Sequence, residues 1–233
     1  MIIRKKIWAK LPTASKTIYP VIGVHCNAEG VAFPSELTIA KLSGCTEKTV
    51  REGIKGLMGL RGFHKERYIT YRGQRAIKYR LNPLPVEKGR AFFFHKVIIE
   101  GGNWSQLTPT ARALYPVLRL FSFHDYYEYL IREDLDPSYN DNMDLYKERK
   151  YDFLIADIDV IAEHAGISIR SIPPAMKALQ ENYLLEETEP IYRDDNSTWK
   201  VYLIPTNYFE RDWLNQEAFK KHRTVELKKL PTK

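Results

Sequence analysis

Thr46, Glu47, Lys48, Thr49, Arg51 and Lys55 fall within ten consecutive residues, and Arg72, Gln74, Arg75 and Lys78 follow as a second group. Short hydroxyls that hold close to an anion stand here beside long cations that reach further. Such sets suit recognition of phosphate oxygens and of the donor and acceptor edges of bases. They lack the parts of bond-making chemistry. No Gly-rich phosphate loop, nucleophile elbow, metal-protease helix or dinucleotide fingerprint occurs in the chain, so the expectation is a binding protein and not an enzyme. His25, His64, His95, His124, His164 and His222 are scattered.

The first group must be positioned by the stretch from Ser35 to Leu57, whose pattern predicts two short helices and a tight turn. Ser35 suits an N-cap, Leu37, Ile39 and Ala40 supply an apolar stripe, and Gly44 ends the first helix in a left-handed conformation. Thr46 caps the second helix. Val50, Ile54 and Leu57 give that helix a buried stripe, which leaves Glu47, Lys48, Thr49, Arg51, Glu52 and Lys55 outward. A small Ala40 allows close approach, and Cys45 is expected at the plug of the turn. The second group sits on a predicted hairpin that turns at Arg72-Gly73-Gln74, between Tyr68, Ile69 and Tyr71 on one side and Ile77, Tyr79 and Leu81 on the other.

This arrangement resembles the helix-turn-helix of winged-helix DNA-binding proteins, in which the second helix enters the major groove and a hairpin forms the wing. The preceding segments agree with it. Residues 1–10 are basic and end near Trp8, expected as an arm or short strand. A helix is predicted from Pro12 to Val24, with Thr13 as its cap, Ile18, Val21 and Ile22 inward, and Pro20 kinking or interrupting it. A turn and short strand then lead to Ser35.

Charge separates the chain into two parts. Lys and Arg total 36 against 29 Asp and Glu, a net charge of +7, yet residues 1–90 alone carry +12 and the rest carries −5. Basic charge gathered around the predicted reading helix is the footprint of a phosphate-binding module. No apolar run is long enough for a membrane span and the start lacks a signal-peptide core, so a cytoplasmic protein without a membrane partner is expected. Two cysteines imply reduced thiols and no disulfide framework. Zinc held by Cys26, Cys45 and His25 or His64 would lack paired ligands at metal spacing, and Asn140, Asn142 and Asp144 alternate as in a calcium loop without its glycine. Neither metal nor cofactor is expected.

The sequence also repeats itself. Leu11 to Ile22 matches Leu107 to Leu118 at an offset of 96, including Tyr-Pro-Val, and Ile39 to Val50 matches Ile161 to Ile172 at an offset of 122. The fold class expected is α+β, mainly helical, with two tandem winged-helix domains. Residues 1–85 form the first, 86–206 the second with an acidic, Tyr-rich insertion at 122–152, and 207–233 a C-terminal helix and basic tail. The stretch from Asn82 to Gly89, with Pro83 and Pro85, marks the linker. In the second copy Pro173 and Pro174 place the helix start at Ser171, and its wing turns on Asp194, Asp195 and Asn196.

Tandem winged helices of this kind look like the replication initiators of plasmids and related mobile elements. Similar helix-turn-helix modules occur in phage replication proteins and in transcription regulators. The resemblance implies a sequence-specific protein of double-stranded DNA, with a replication initiator expected first, a transcription regulator as the rival, and a protein-interaction scaffold as a third reading. Further expected partners are a second copy of the chain, and replication or transcription proteins reaching the second domain.

Overall fold

The first described element is a single helical turn, α1 (Ile7–Lys10), where the sequence predicts an arm or strand. The turn curls Trp8 inward until only 2% of it is exposed, and its Nε1 donates to the Ala113 carbonyl at 2.8 Å, so the indole gains burial and an acceptor together. The computed structural model describes residues 3, 6–81, 94–122, 151–155, 157–187, 191–192, 198–199 and 201–205. The expected linker at 82–89, residues 123–150 of the insertion with Asn140, Asn142 and Asp144, the turn at 194–196, and the C-terminal helix and tail lie outside them.

Helix α2 (Thr13–Val24) follows the expected span, but Pro12 and not Thr13 is its N-cap, and the Lys16 N–H bonds to the Pro12 carbonyl. Pro20 neither ends nor divides it. The ring forfeits one backbone bond to the preceding turn, but it is buried together with Ile18, Val21 and Ile22, and that packing holds the helix through it. Strand β1 (Val31–Ala32) leads into α3 (Glu36–Ser43). As expected, the Ser35 side chain caps α3 by accepting from Thr38 N–H at 2.9 Å, and Gly44 ends it at φ 63°.

Leu37 corrects the expected stripe. It is 66% exposed, because buried Ile39, Ala40 and Ser43 define the inner face and a step of two residues back from Ile39 turns about 200° around the helix. Helix α4 (Glu47–Leu57) is capped by Thr46, whose hydroxyl accepts from Thr49 N–H, and it buries Val50, Ile54 and Leu57 as the spacing requires. Strands β2 (Phe63–Ile69) and β3 (Arg75–Leu81) pair antiparallel, with Phe63 opposite Leu81 and Ile69 opposite Arg75, and β1 joins the other edge of β3. The sheet order is β1-β3-β2, on the element order expected of a winged helix.

Short helices α5 (Lys96–Glu100) and α6 (Asn103–Gln106) precede α7 (Pro109–Phe121), which the Thr108 hydroxyl caps. Then come β4 (Tyr151–Ile155), α8 (Ile158–Ala165), a 3-10 turn at Ile169–Ser171, α9 (Ile172–Glu181), β5 (Glu186–Glu187), the pair β6 (Ile191–Tyr192) and β7 (Thr198–Trp199), and β8 (Val201–Pro205). Ser171 is the N-cap of α9 and Pro173 lies in its first turn, where a missing N–H is harmless. The second sheet runs β4-β8-β5, the relative order of the first.

The two halves share one apolar core. Ile18, Ile22 and Leu57 of the first belong to the same cluster as Ile98, Trp104, Leu114 and Leu179 of the second. Repeated positions make the contacts. Gly44 and Gly166, separated by the offset of 122, both adopt left-handed φ, and each lies against the other half. A Cβ would stand 2.4 Å from the Ser105 carbonyl oxygen at Gly44 and 2.2 Å from that of Ala9 at Gly166. Lys16 and Arg112, separated by 96, are both buried cations. Lys16 donates to the Ala9 carbonyl and, across the halves, to that of Ala165, while Arg112 donates within its own half to those of Trp104 and Ser105. Burial pushes both pKa values down.

Candidate nucleic-acid interface

Helix α4 presents Lys48, Arg51 and Lys55 at steps of three and four residues, which places them on one outward stripe opposite Val50, Ile54 and Leu57. All three are exposed, as are Thr46 and Glu47, while Thr49 is half-buried. Thr46 and Thr49 hydroxyls lie 3.0 Å apart at the helix start, held there by the cap itself. Lys48 and Lys55 have no carboxylate partner among the described residues.

Helix α4 lies close against α2 because two of its interior residues are glycines. A Cβ on Gly53 would stand 2.8 Å from the Ala14 carbonyl oxygen and from Ile18 Cδ1, and one on Gly56 would stand 2.3 Å from Ser15 Oγ. Ser15 Oγ also donates to the Gly53 carbonyl at 2.8 Å. Each glycine weakens an isolated helix by about 1 kcal/mol relative to alanine, so two in one short helix are a sequence signal of close packing that the Val50, Ile54 and Leu57 stripe does not include.

Arg51 is tethered. Its Nε lies 3.4 Å from a Glu36 carboxylate oxygen and donates to the Glu47 carbonyl at 3.3 Å, and its Nη2 lies 3.9 Å from the Glu47 carboxylate. The other Glu36 oxygen receives Lys65 of β2 at 3.0 Å. One carboxylate in the first turn of α3 therefore orients a cation on α4 and another on the sheet. Nothing in the spacing of Glu36, Arg51 and Lys65 announces this, since only the fold brings the three together.

On the hairpin, Arg72, Gln74 and Arg75 are exposed, and the Arg72 guanidinium lies 5.3 Å from the Tyr71 ring centroid. Lys78 differs from them. It pairs with Glu66 across the strands at 2.6 Å, and that hydrogen bond and charge hold the Glu66 carboxyl below its ordinary range, with Arg80 and His64 adding to the effect. Beneath them Tyr79 is fully buried against Phe63, and burial raises its phenol pKa. The structure thus brings Thr46, Glu47, Lys48, Thr49, Arg51 and Lys55 onto one helix and Arg72, Gln74, Arg75 and Lys78 onto the adjoining hairpin.

Residues 9–60 match a family model described as a helix-turn-helix domain. The match takes in α2, β1, α3 and α4 and supports DNA binding by this part of the chain. No curated protein and no solved structure matches the chain. Three of the zinc candidates make local contacts: His25 Nδ1 lies 2.8 Å from the Val21 carbonyl oxygen, Cys26 contacts the Ile22 carbonyl, and Cys45 lies 2.8 Å from Ser43 Oγ in the turn. Among the described residues no three His, Cys, Asp or Glu side chains gather in a group that could hold a metal ion, and no helix is long and apolar enough to cross a membrane.

Proposed function

We propose that the chain is a sequence-specific double-stranded DNA-binding protein that initiates replication of a plasmid, phage or other mobile element. The observation that carries the DNA reading is the helix-turn-helix match over a helix whose outward stripe is Lys48, Arg51 and Lys55, beside a hairpin tipped with arginine. In this reading Thr46 and Thr49 anchor the start of α4 to phosphate and Lys48 and Arg51 stand nearest the base edges. Arg72 and Arg75 reach phosphate or the minor groove. The work is binding and not catalysis.

Support for an initiator over a simple repressor comes from the repeated architecture. The second half has the helix, strand, helix, helix and strand order of the first and the same relative strand order, which we read as a second winged helix. Residues 91–233, which contain it, carry −5 in total, so we assign it protein contacts with a second copy or with replication proteins. A map of the sites bound in the cell tests this reading. An initiator occupies repeated sites beside the origin of its own element; occupancy of a single operator at a promoter would move the assignment to a transcription regulator. Absence of duplex binding would remove both and favour a protein-interaction scaffold.

A further inference from the structure

The far end of the β2–β3 hairpin carries apolar residues that the fold does not use. Ile69 is 72% exposed and Tyr71 is 91% exposed. Large apolar groups gathered at one exposed point mark a contact surface more often than an ordinary one. The tip that holds them is fixed: Thr70 N–H donates to the Gln74 carbonyl at 2.8 Å, Gly73 N–H to the Thr70 carbonyl at 2.9 Å, and Gln74 N–H to Thr70 Oγ1 at 3.2 Å.

Register gives the tip a direction. Residues directly opposite in an antiparallel pair share a face, and faces alternate along each strand. Phe63, Lys65, Arg67 and Ile69 therefore share one face with Leu81, Tyr79, Ile77 and Arg75. That face is the inner one, because Phe63 and Tyr79 are buried in the core and Lys65 pairs with Glu36 of α3. The same Glu36 holds Arg51 of α4. Ile69 thus projects on the side of the sheet that carries α3 and α4, with Arg67 two residues before it and Arg75 directly opposite.

An apolar group between arginines is the composition of elements that enter the minor groove and part a base step. We propose that the hairpin is a duplex-kinking wedge. Ile69, with Tyr71 beside it, enters the minor groove next to the site read by α4 and partly unstacks one step, while Arg67 and Arg75 hold the phosphates on either side. The inference rests on the duplex-binding reading above and adds an activity to it, the bending of the target. The arginines around Ile69 decide for a polyanion over an apolar protein surface.

The test uses the full chain and a duplex that it selects from a random-sequence pool. That duplex carries a fluorescent donor and acceptor at its ends, and 2-aminopurine is scanned across its flank. The expected result is a bend on binding and brightening at one step, of the pyrimidine–purine type that unstacks most readily. Ile69→Ser should abolish the brightening, remove most of the bend and weaken binding about tenfold, the order expected for losing one buried aliphatic side chain. Ile69→Leu should retain all three properties, and unfolding midpoints equal to wild type would confirm that both variants are folded. A bound but straight wild-type duplex, or an Ile69→Ser variant that bends it as wild type does, would overturn the wedge and leave duplex binding standing. Selection of no duplex at all would overturn both.

Discussion

Trp8 and Trp104 stand 96 positions apart and make the same hydrogen bond to opposite halves of the chain. Trp8 Nε1 donates to the Ala113 carbonyl of α7, and Trp104 Nε1 donates to the Thr17 carbonyl of α2, each at 2.8 Å. Thr17 and Ala113 are themselves 96 apart. The exchange is reciprocal, as in a two-fold interface where a surface meets its own copy, except that here one chain supplies both surfaces. The exposed ion pair of Lys6 with Glu163 adds a further link between the halves.

Removing either indole should therefore loosen both halves together. Trp8→Phe keeps most of the packing and loses the hydrogen bond, for an expected cost of about 1 kcal/mol. Trp8→Ala also opens a cavity and should cost about 3–5 kcal/mol. Because the core is shared, urea unfolding followed by far-UV circular dichroism and by tryptophan fluorescence should give coincident transitions in wild type and in both variants. Two separated transitions would show that the halves unfold as independent units.

Gly53→Ala sets two effects against each other. In an exposed helix the change would stabilise by about 1 kcal/mol through helix propensity. Here the new methyl group would stand 2.8 Å from the Ala14 carbonyl oxygen, which is backbone and cannot turn aside. Overpacking of this kind costs about 1–3 kcal/mol, so the expected result is net destabilisation. A midpoint at or above that of wild type would mean that α2 and α4 can part without loss.

The helix-turn-helix was legible because local signals settle it. Ser35 and Thr46 cap, Gly44 turns, and Val50, Ile54 and Leu57 mark one face. The hairpin was legible from alternation around Arg72-Gly73-Gln74. What failed depended on distant partners. Trp8 curls into a helical turn because Ala113 waits for it, and Pro20 stays within α2 because tertiary packing outweighs one missing bond. Leu37 was misread because its hydrophobicity outweighed its angular position. The Trp pair was within reach: Trp8 and Trp104 obey the same offset as the Tyr-Pro-Val repeat. The Glu36 tether was not, since its three members meet only after the sheet packs on α3.

Half-buried His95, beside a buried ion pair, gives the second half a pH dependence. Arg119 of α7 meets Asp152 of β4 at 2.5 Å, and half-buried His95 at the start of α5 lies close enough to feel both. Burial lowers the His95 pKa from 6.5, the Arg119 charge lowers it further, and Asp152 opposes them. Between 6.5 and that lowered value the unfolded chain binds more protons at this residue than the folded one, so its contribution to stability falls as pH falls through the window. Wild type should thus lose more stability than His95→Gln between about pH 7.5 and pH 5 in urea denaturation. An equal loss in the two proteins would assign the pH dependence to other groups.

The Glu36 tether yields a prediction about reading as opposed to stability. Arg51→Ala should cost about 1–3 kcal/mol in binding to a selected duplex and relax discrimination at one base pair, whereas Arg75→Ala should weaken all sequences alike unless it reads the minor groove. Glu36→Gln removes the carboxylate shared by Arg51 and Lys65 and raises the local positive charge by one. Lys65 is released and Arg51 keeps only its contacts to Glu47, so both gain phosphate contacts but lose direction. Binding to scrambled duplex should tighten, its salt dependence should steepen by about one counterion, and the ratio of selected to scrambled affinity should fall. Competition titrations at low and high salt separate these effects. If Glu36→Gln leaves that ratio unchanged while Arg51→Ala lowers it, Arg51 reads the duplex without needing the tether; if neither changes it, α4 is not the reading helix.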